Sequence, residues 1–228
     1  MRTDSGPRRG ATGRPVGPQP AKRQAILEAA VAVFLREGYD RASVDVIADE
    51  ARVSKQTVYN HFGDKERLFI AAVEEERERV AAGFAAGSPY ALGPDGDAAA
   101  PETYDSGDAR TALLAFGHRV LAVLLDARAS ALRRLVIAEV ARHPSLRPAC
   151  AEGEPQQLVK YLAEMLGRRT GSGELSVPDP ATAARQFVAL IIQQGLYQSM
   201  YGTRPLPEDE ATAVCESAAD LLVRAYRP

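Results

Sequence analysis

Residues 43–62 constrain this chain more than any other stretch. Ser43 and Ser54 each precede a short run of apolar residues at helical spacing, and each can cap a helix N-terminus. Val44, Ile47, Ala48 and Ala51 share one side of the first run. Val58 and Phe62 share one side of the second, and Val53 fills the turn between them. What remains of the second run is Lys55, Gln56, Thr57, Tyr59, Asn60 and His61, side chains that can hydrogen-bond to a nucleic acid. Two short helices with a tight turn, the second presenting such groups, describe a DNA-binding helix-turn-helix.

The charge distribution agrees with a polyanion partner for this end of the chain. The net charge over 228 residues is only -2. Residues 1–23, however, hold six basic residues against the single acid Asp4, and residues 1–70 hold twelve against nine. Residues 71–228 hold sixteen against twenty-one, so the basic excess lies beside the helix-turn-helix, where phosphates require it. Arg outnumbers Lys 24 to 4, but the bias also runs through the acidic half and decides nothing. The first twenty residues are rich in Arg, Gly and Pro and lack the apolar centre of a signal peptide. They read as a disordered basic arm, either a solvated tail or a segment laid along DNA with Gly13, Arg14 and Pro15 in a minor groove.

Nine helices are expected. The first runs over about 21–37, with Ile26, Leu27, Ala30, Val31 and Phe34 in one stripe, Gly38 as a left-handed cap, and Tyr39 folded back. The second and third run over about 44–51 and 54–61. Asp64 caps a fourth, in which Leu68, Phe69, Ala72 and Val73 face inward while Glu74, Glu75, Glu76, Arg77, Glu78 and Arg79 form a solvated face. A long loop spans 87–107. Further helices follow at about 109–126, 130–142, 155–169, 180–201 and 207–226, too apolar to lie on a surface and therefore packed as a bundle. The fold class is all-α: a basic arm (1–20), a three-helix helix-turn-helix domain (21–68) and a C-terminal helical bundle (69–228).

Enzymatic motifs are absent: no Gly-rich phosphate loop, no nucleophile elbow, no H-E-x-x-H. Cys150 and Cys215 have no metal-ligand spacing with the three histidines, and the acids of the long loop do not fit an EF-hand. No metal, cofactor or membrane partner is expected, and a cytoplasmic protein with free thiols is.

The run Ile26-Leu27-Glu28-Ala29-Ala30, Phe34, Gly38-Tyr39, Ser43-Val44, Ile47-Ala48, Ala51, Val53-Ser54, Thr57-Val58-Tyr59, His61-Phe62, Lys65-Glu66 and Leu68 resembles the N-terminal domain of the TetR/AcrR family of transcriptional regulators. Residues 134–139, with Asp179-Pro180 and Gln186-Phe187, resemble the C-terminal domain of AefR-like members. The resemblance implies an all-helical homodimer on a double-stranded DNA operator, its last two helices forming a four-helix bundle with their copies. It also implies a pocket among the fourth to eighth helices for an unknown small-molecule effector. Carried over by position, the DNA-facing residues are Ser43, Lys55, Gln56, Thr57, Tyr59, Asn60, His61 and Lys65. One departure is the length of the connection between the fourth and fifth helices.

Chemistry divides these residues into roles. Thr57, Tyr59, His61 and Lys65 suit phosphate oxygens, whereas Lys55 and Gln56, with Asn60 as a third, suit base edges. Tyr59 also reads as a core aromatic beside Phe62, and His61 as a helix cap. Ala211, Val214, Cys215, Ala218, Leu222 and Ala225 line one side of the last helix and suit either a dimer interface or a monomer core. His118, Arg119, Gln193, Gln194 and Tyr197 interrupt apolar runs, as pocket residues or as exposed ones. The expected function is a repressor released from a palindromic operator by a small molecule. The alternatives are a regulator whose C-terminal domain only dimerises or binds a protein, and, from another class, an enzyme.

Overall fold

The computed structural model describes residues 19–85, 107–150 and 156–228. Nearly all of the predicted basic arm and of the 87–107 loop lies outside the described residues. The described chain forms helices α1 (Gln19–Glu37), α2 (Val44–Glu50), α3 (Lys55–Phe62), α4 (Lys65–Ala85), α5 (Ala109–Leu124), α6 (Ala127–Glu139), α7 (Arg147–Cys150), α8 (Gln156–Gly171), α9 (Pro180–Gln198) and α10 (Glu208–Ala225). None of them is long and apolar enough to cross a membrane.

Local chemistry sets most boundaries. Gly38 stops α1 at φ +79°, donating its N–H to the Phe34 carbonyl at 2.9 Å. Asp64 caps α4 by accepting from the Arg67 N–H at 2.8 Å. The sixth helix starts before the predicted residue 130, because the Asp126 carboxylate caps it through the Ala129 N–H at 2.8 Å. The short α7 and the 3-10 turn Pro144–Leu146 occupy a piece expected to be irregular. Helix α9 ends three residues before the expected Tyr201, since Met200, Tyr201 and Gly202 take positive φ.

Two apolar cores result. The first is centred on α1 and α4, where the rings of Phe34 and Phe69 meet edge-to-face at 4.9 Å. Tyr39 folds back as expected, 6.0 Å from Phe34 and 5.1 Å from Phe69, and burial pushes its phenol up to about 12. Leu132 and Val136 of α6, Leu146, and Ala149 of α7 are buried in the same cluster. The head is therefore closed by residues well beyond the predicted 21–68 domain.

The second core holds α5, α8, α9 and α10 around Phe116, Leu162, Leu166, Phe187, Ile191 and Cys215. Small residues bring these helices close: a Cβ at Gly195 would stand 2.5 Å from Leu121 Cδ2. This packing corrects the interface reading of the last helix. Ala211, Val214, Cys215, Ala218 and Leu222 are buried inside the chain, in the core shared with α5 and α9, and Ala225 is exposed. Small side chains do permit close approach, but here the approach is within one subunit. Burial also pushes the Cys215 thiol up to about 12, far from a reactive thiolate.

A second correction concerns the charged run of α4. Glu76 is only 3% exposed, so it does not belong to a solvated face. Its Oε1 accepts from Arg79 Nε and Nη2 at 3.0 and 2.6 Å, and its Oε2 lies 3.1 Å from Arg128 Nε. Arg79 also reaches Asp126 Oδ1 at 3.1 Å, which joins α4 to the cap of α6. Glu75 pairs across to Arg23 of α1 at 3.4 Å. Glu76→Ala, which strands two arginines beside a buried site, should lose about 1–3 kcal/mol in urea unfolding at neutral pH. The exposed-pair variant Glu75→Ala should lose less than about 1 kcal/mol. Equal losses would show that the Glu76 network holds nothing together.

Candidate nucleic-acid interface

The helix-turn-helix forms where the sequence places it. Ser43, in extended conformation, caps α2 by accepting from the Asp45 N–H at 3.2 Å. Ser54 caps α3 by accepting from the Thr57 N–H at 3.1 Å, and the two hydroxyls meet at 2.8 Å. Between them Arg52 adopts φ +54°, a left-handed turn that a non-glycine residue takes at some cost. Donation from the Val53 N–H to the Ala48 carbonyl at 2.9 Å closes that turn. Val44, Ile47, Ala48, Val58 and Phe62 are buried against the first core, and this orients both helices.

At 100° per residue, burial of Val58 and Phe62 turns Lys55, Gln56, Tyr59 and Asn60 outward on one arc. All four are exposed, while Thr57 and His61 flank the arc half-buried. The face is ordered by bonds of its own. Lys55 Nζ lies 2.9 Å from Asp45 Oδ2, and that bond raises its pKa. Gln56 Nε2 donates to Asn60 Oδ1 at 2.9 Å. Tyr59 is 37% exposed, and the His61 ring lies 6.1 Å from that of Phe62.

Lys65 stands apart from this face. Its ammonium donates to the Asp40 carbonyl at 3.0 Å and sits 4.7 Å over the Tyr39 ring. Burial lowers its pKa, opposed by the fields of Asp40 and Glu139. In this arrangement Lys65 braces the turn between α1 and α2 instead of reaching outward.

Comparison with known proteins accounts for both halves. Residues 111–228 match the AefR-like transcriptional repressor C-terminal domain, and residues 26–72 match the bacterial regulatory proteins of the tetR family. The chain belongs to the TetR family. Its members are transcriptional regulators, not enzymes. The HTH-type transcriptional repressor AcnR of Corynebacterium efficiens is 41% identical over 59 residues, 26% of this chain and 31% of that protein. The match thus spans about a third of that relative's length. An uncharacterised HTH-type transcriptional regulator of Mycobacterium tuberculosis is 28% identical over 205 residues, 89% of each chain. A structure from Mesorhizobium loti, reported as a TetR-family regulator, has a TM-score of 0.75 at 26% identity, covering 92% of this chain and 98% of that one.

Within this TetR-family chain, the five predicted pocket residues divide between the exposed side of α9 and a half-buried stretch of α5. Gln193, Gln194 and Tyr197 lie on the exposed side of α9, with Tyr197 65% exposed. His118 and Arg119 sit half-buried on α5. The reason is helical phase: Ala183, Ala184, Phe187, Val188, Ile191 and Gly195 take the inward side of α9 and leave the polar residues outside. An open groove of about 650 Å³ instead runs between α8 and the start of α9, beside Val159, Ala163 and Pro180, and none of the five lines it.

Sequence reasoning missed Asp45, the partner of Lys55. It lies ten positions away on another helix, and periodicity carries no signal for such a pair. The cap it did find makes a direct prediction. Ser54→Ala should destabilise the head by about 1 kcal/mol in urea unfolding, and Ser54→Asp should restore most of it. Loss of stability in both variants alike would assign the effect to something other than the cap.

Proposed function

We propose that this chain is a homodimeric repressor that reads a near-palindromic operator through α3. The observation that carries the proposal is the single outward arc of Lys55, Gln56, Tyr59 and Asn60 on a helix anchored by Val58 and Phe62. On this reading Lys55 and Gln56, with Asn60 beside them, meet base edges in the major groove. Tyr59, Thr57 and His61 meet phosphates, and Ser43 joins them from the start of α2. Two copies related by a two-fold axis would set their α3 helices roughly 34–36 Å apart, one turn of duplex.

The dimer interface is proposed on the outer faces of α9 and α10 in place of the small-residue side of α10. Leu190, Tyr197 and Leu221 are 38%, 65% and 54% exposed there, an apolar stripe that a symmetric partner would cover. Release by a small molecule is supported by the likeness to the Flavonoid-responsive Regulator FrrA, with a TM-score of 0.65 at 25% identity. An effector would act by its differential affinity for two placements of the heads. The other reading, in which the C-terminal domain only dimerises or binds a protein, is supported by the exposed apolar stripe of Leu190, Tyr197 and Leu221.

Selection of binding sites from random duplexes tests the operator reading. A near-palindrome should emerge, and Gln56→Ala should lose about 1–3 kcal/mol of discrimination at one position in each half-site. Tyr59→Phe should weaken every duplex alike, by about 1 kcal/mol. An unchanged base preference for Gln56→Ala would remove that residue as a reader, and failure to enrich any sequence would overturn the reading itself.

A further inference from the structure

Asp40, Glu139 and His143 come together where the head meets the rest of the chain. Asp40 lies in the turn between α1 and α2, Glu139 is the last residue of α6, and His143 precedes the 3-10 turn. One ligand atom from each lies within 4.8 Å of the other two. His143 Nε2 is 2.8 Å from Asp40 Oδ1 and 3.9 Å from Glu139 Oε2.

Glu139 makes this cluster more than a chance meeting of surface acids. The residue is 8% exposed, and its Oε2 accepts no hydrogen bond. The Arg142 guanidinium comes only to 3.9 Å and is 71% exposed. A buried carboxylate oxygen in that state is costly unless a cation completes it. The imidazole is held in place by packing, its ring 4.9 Å from that of Tyr39. The Lys65 ammonium, bonded to the Asp40 carbonyl, offsets part of the negative charge, and the excess remains with the two carboxylates.

We propose that Asp40, Glu139 and His143 form a binding site for a first-row divalent cation. One imidazole nitrogen and two carboxylate oxygens, with water completing the shell, suit Zn²⁺ best and Mn²⁺ next. In a tetrahedral site with bonds of about 2.0–2.1 Å, ligand atoms stand about 3.4 Å apart. The two separations from His143 straddle that value, and the two carboxylate oxygens, within 4.8 Å of each other, would draw together on the ion. The ion would tie the turn entering α2 to the end of α6. Its consequence for operator affinity rests on the operator reading above, because a tied head moves less freely against the rest of the chain. The binding itself does not.

Titration calorimetry on the chelator-treated full-length protein, without DNA, tests the site with ZnCl₂ and MnCl₂ as probes. The expected result is one saturable ion per chain for Zn²⁺. Binding should weaken about tenfold or more in both Glu139→Gln and Asp40→Asn, each checked for fold by circular dichroism. If Glu139→Gln unfolds, Asp40→Asn, on an exposed turn, carries the comparison. No saturable heat with either metal would mean that the His143–Asp40 hydrogen bond alone closes the cluster. Undiminished binding in the variants would place the ion elsewhere. Either result overturns the proposal, and with no operator present neither depends on DNA binding.

Discussion

The edge-to-face meeting of Phe34 and Phe69 is the contact on which the rest of the head depends. It sets α1 against α4, and Tyr39 closes its third side. Helices α2 and α3 have too few residues to be stable by themselves, so their arrangement is that of the surface they rest upon. Ile47, Val58 and Phe62 are their attachments to it. From the other side α6 and α7 contribute Leu132, Val136 and Ala149 to the same cluster. Helix α3 is thus positioned from both halves of the chain. One continuous helix, the 21 residues of α4, carries the connection over about 30 Å. Midway along it Glu76 is clamped by Arg79 and Arg128, with Asp126 holding both Arg79 and the start of α6. A shift of the α5–α6 corner pulls on α4, because the carboxylates of Glu76 and Asp126 are too buried to part from their arginines at no cost.

What could be read from the sequence was whatever a residue does with its near neighbours. Gly38, Ser43, Ser54 and Asp64 act on N–H and carbonyl groups within a few positions, and each does what its type requires. The inward sides of α1 and α4 were legible for a similar reason: a 3.6-residue period needs no knowledge of the partner. Periodicity tells that a side is covered but not by what. The small-residue side of α10 is covered, by α5 and α9 of its own chain, and only tertiary structure separates that from a second copy. Glu76 was misread because five charges surround it, although a single turn of helix separates a solvated carboxylate from a buried one. Gln193, Gln194 and Tyr197 interrupt an apolar run in sequence, yet the phase of α9 sends them outward beside Leu190. The meeting of His143 with Asp40 spans 103 positions and left no local trace at all.

On the proposed reading, recognition by α3 is an exchange. Lys55 and Gln56 are both bonded before any duplex arrives, to Asp45 and Asn60. These bonds lie in open water, where an ion pair is heavily screened and an amide gives up one partner for another with little change. They therefore oppose DNA binding weakly, while limiting the rotamers that the two side chains sample. A side chain already held near its working geometry loses less entropy when it meets a base. Asp45 matters in a second way. On that reading its carboxylate neutralises the one lysine of α3, so the paired face offers a phosphate no net positive charge there, while a base edge can still take up the Lys55 ammonium. If α3 reads the operator in this way, the same acid that orders Lys55 favours contact with bases over contact with the sugar-phosphate chain.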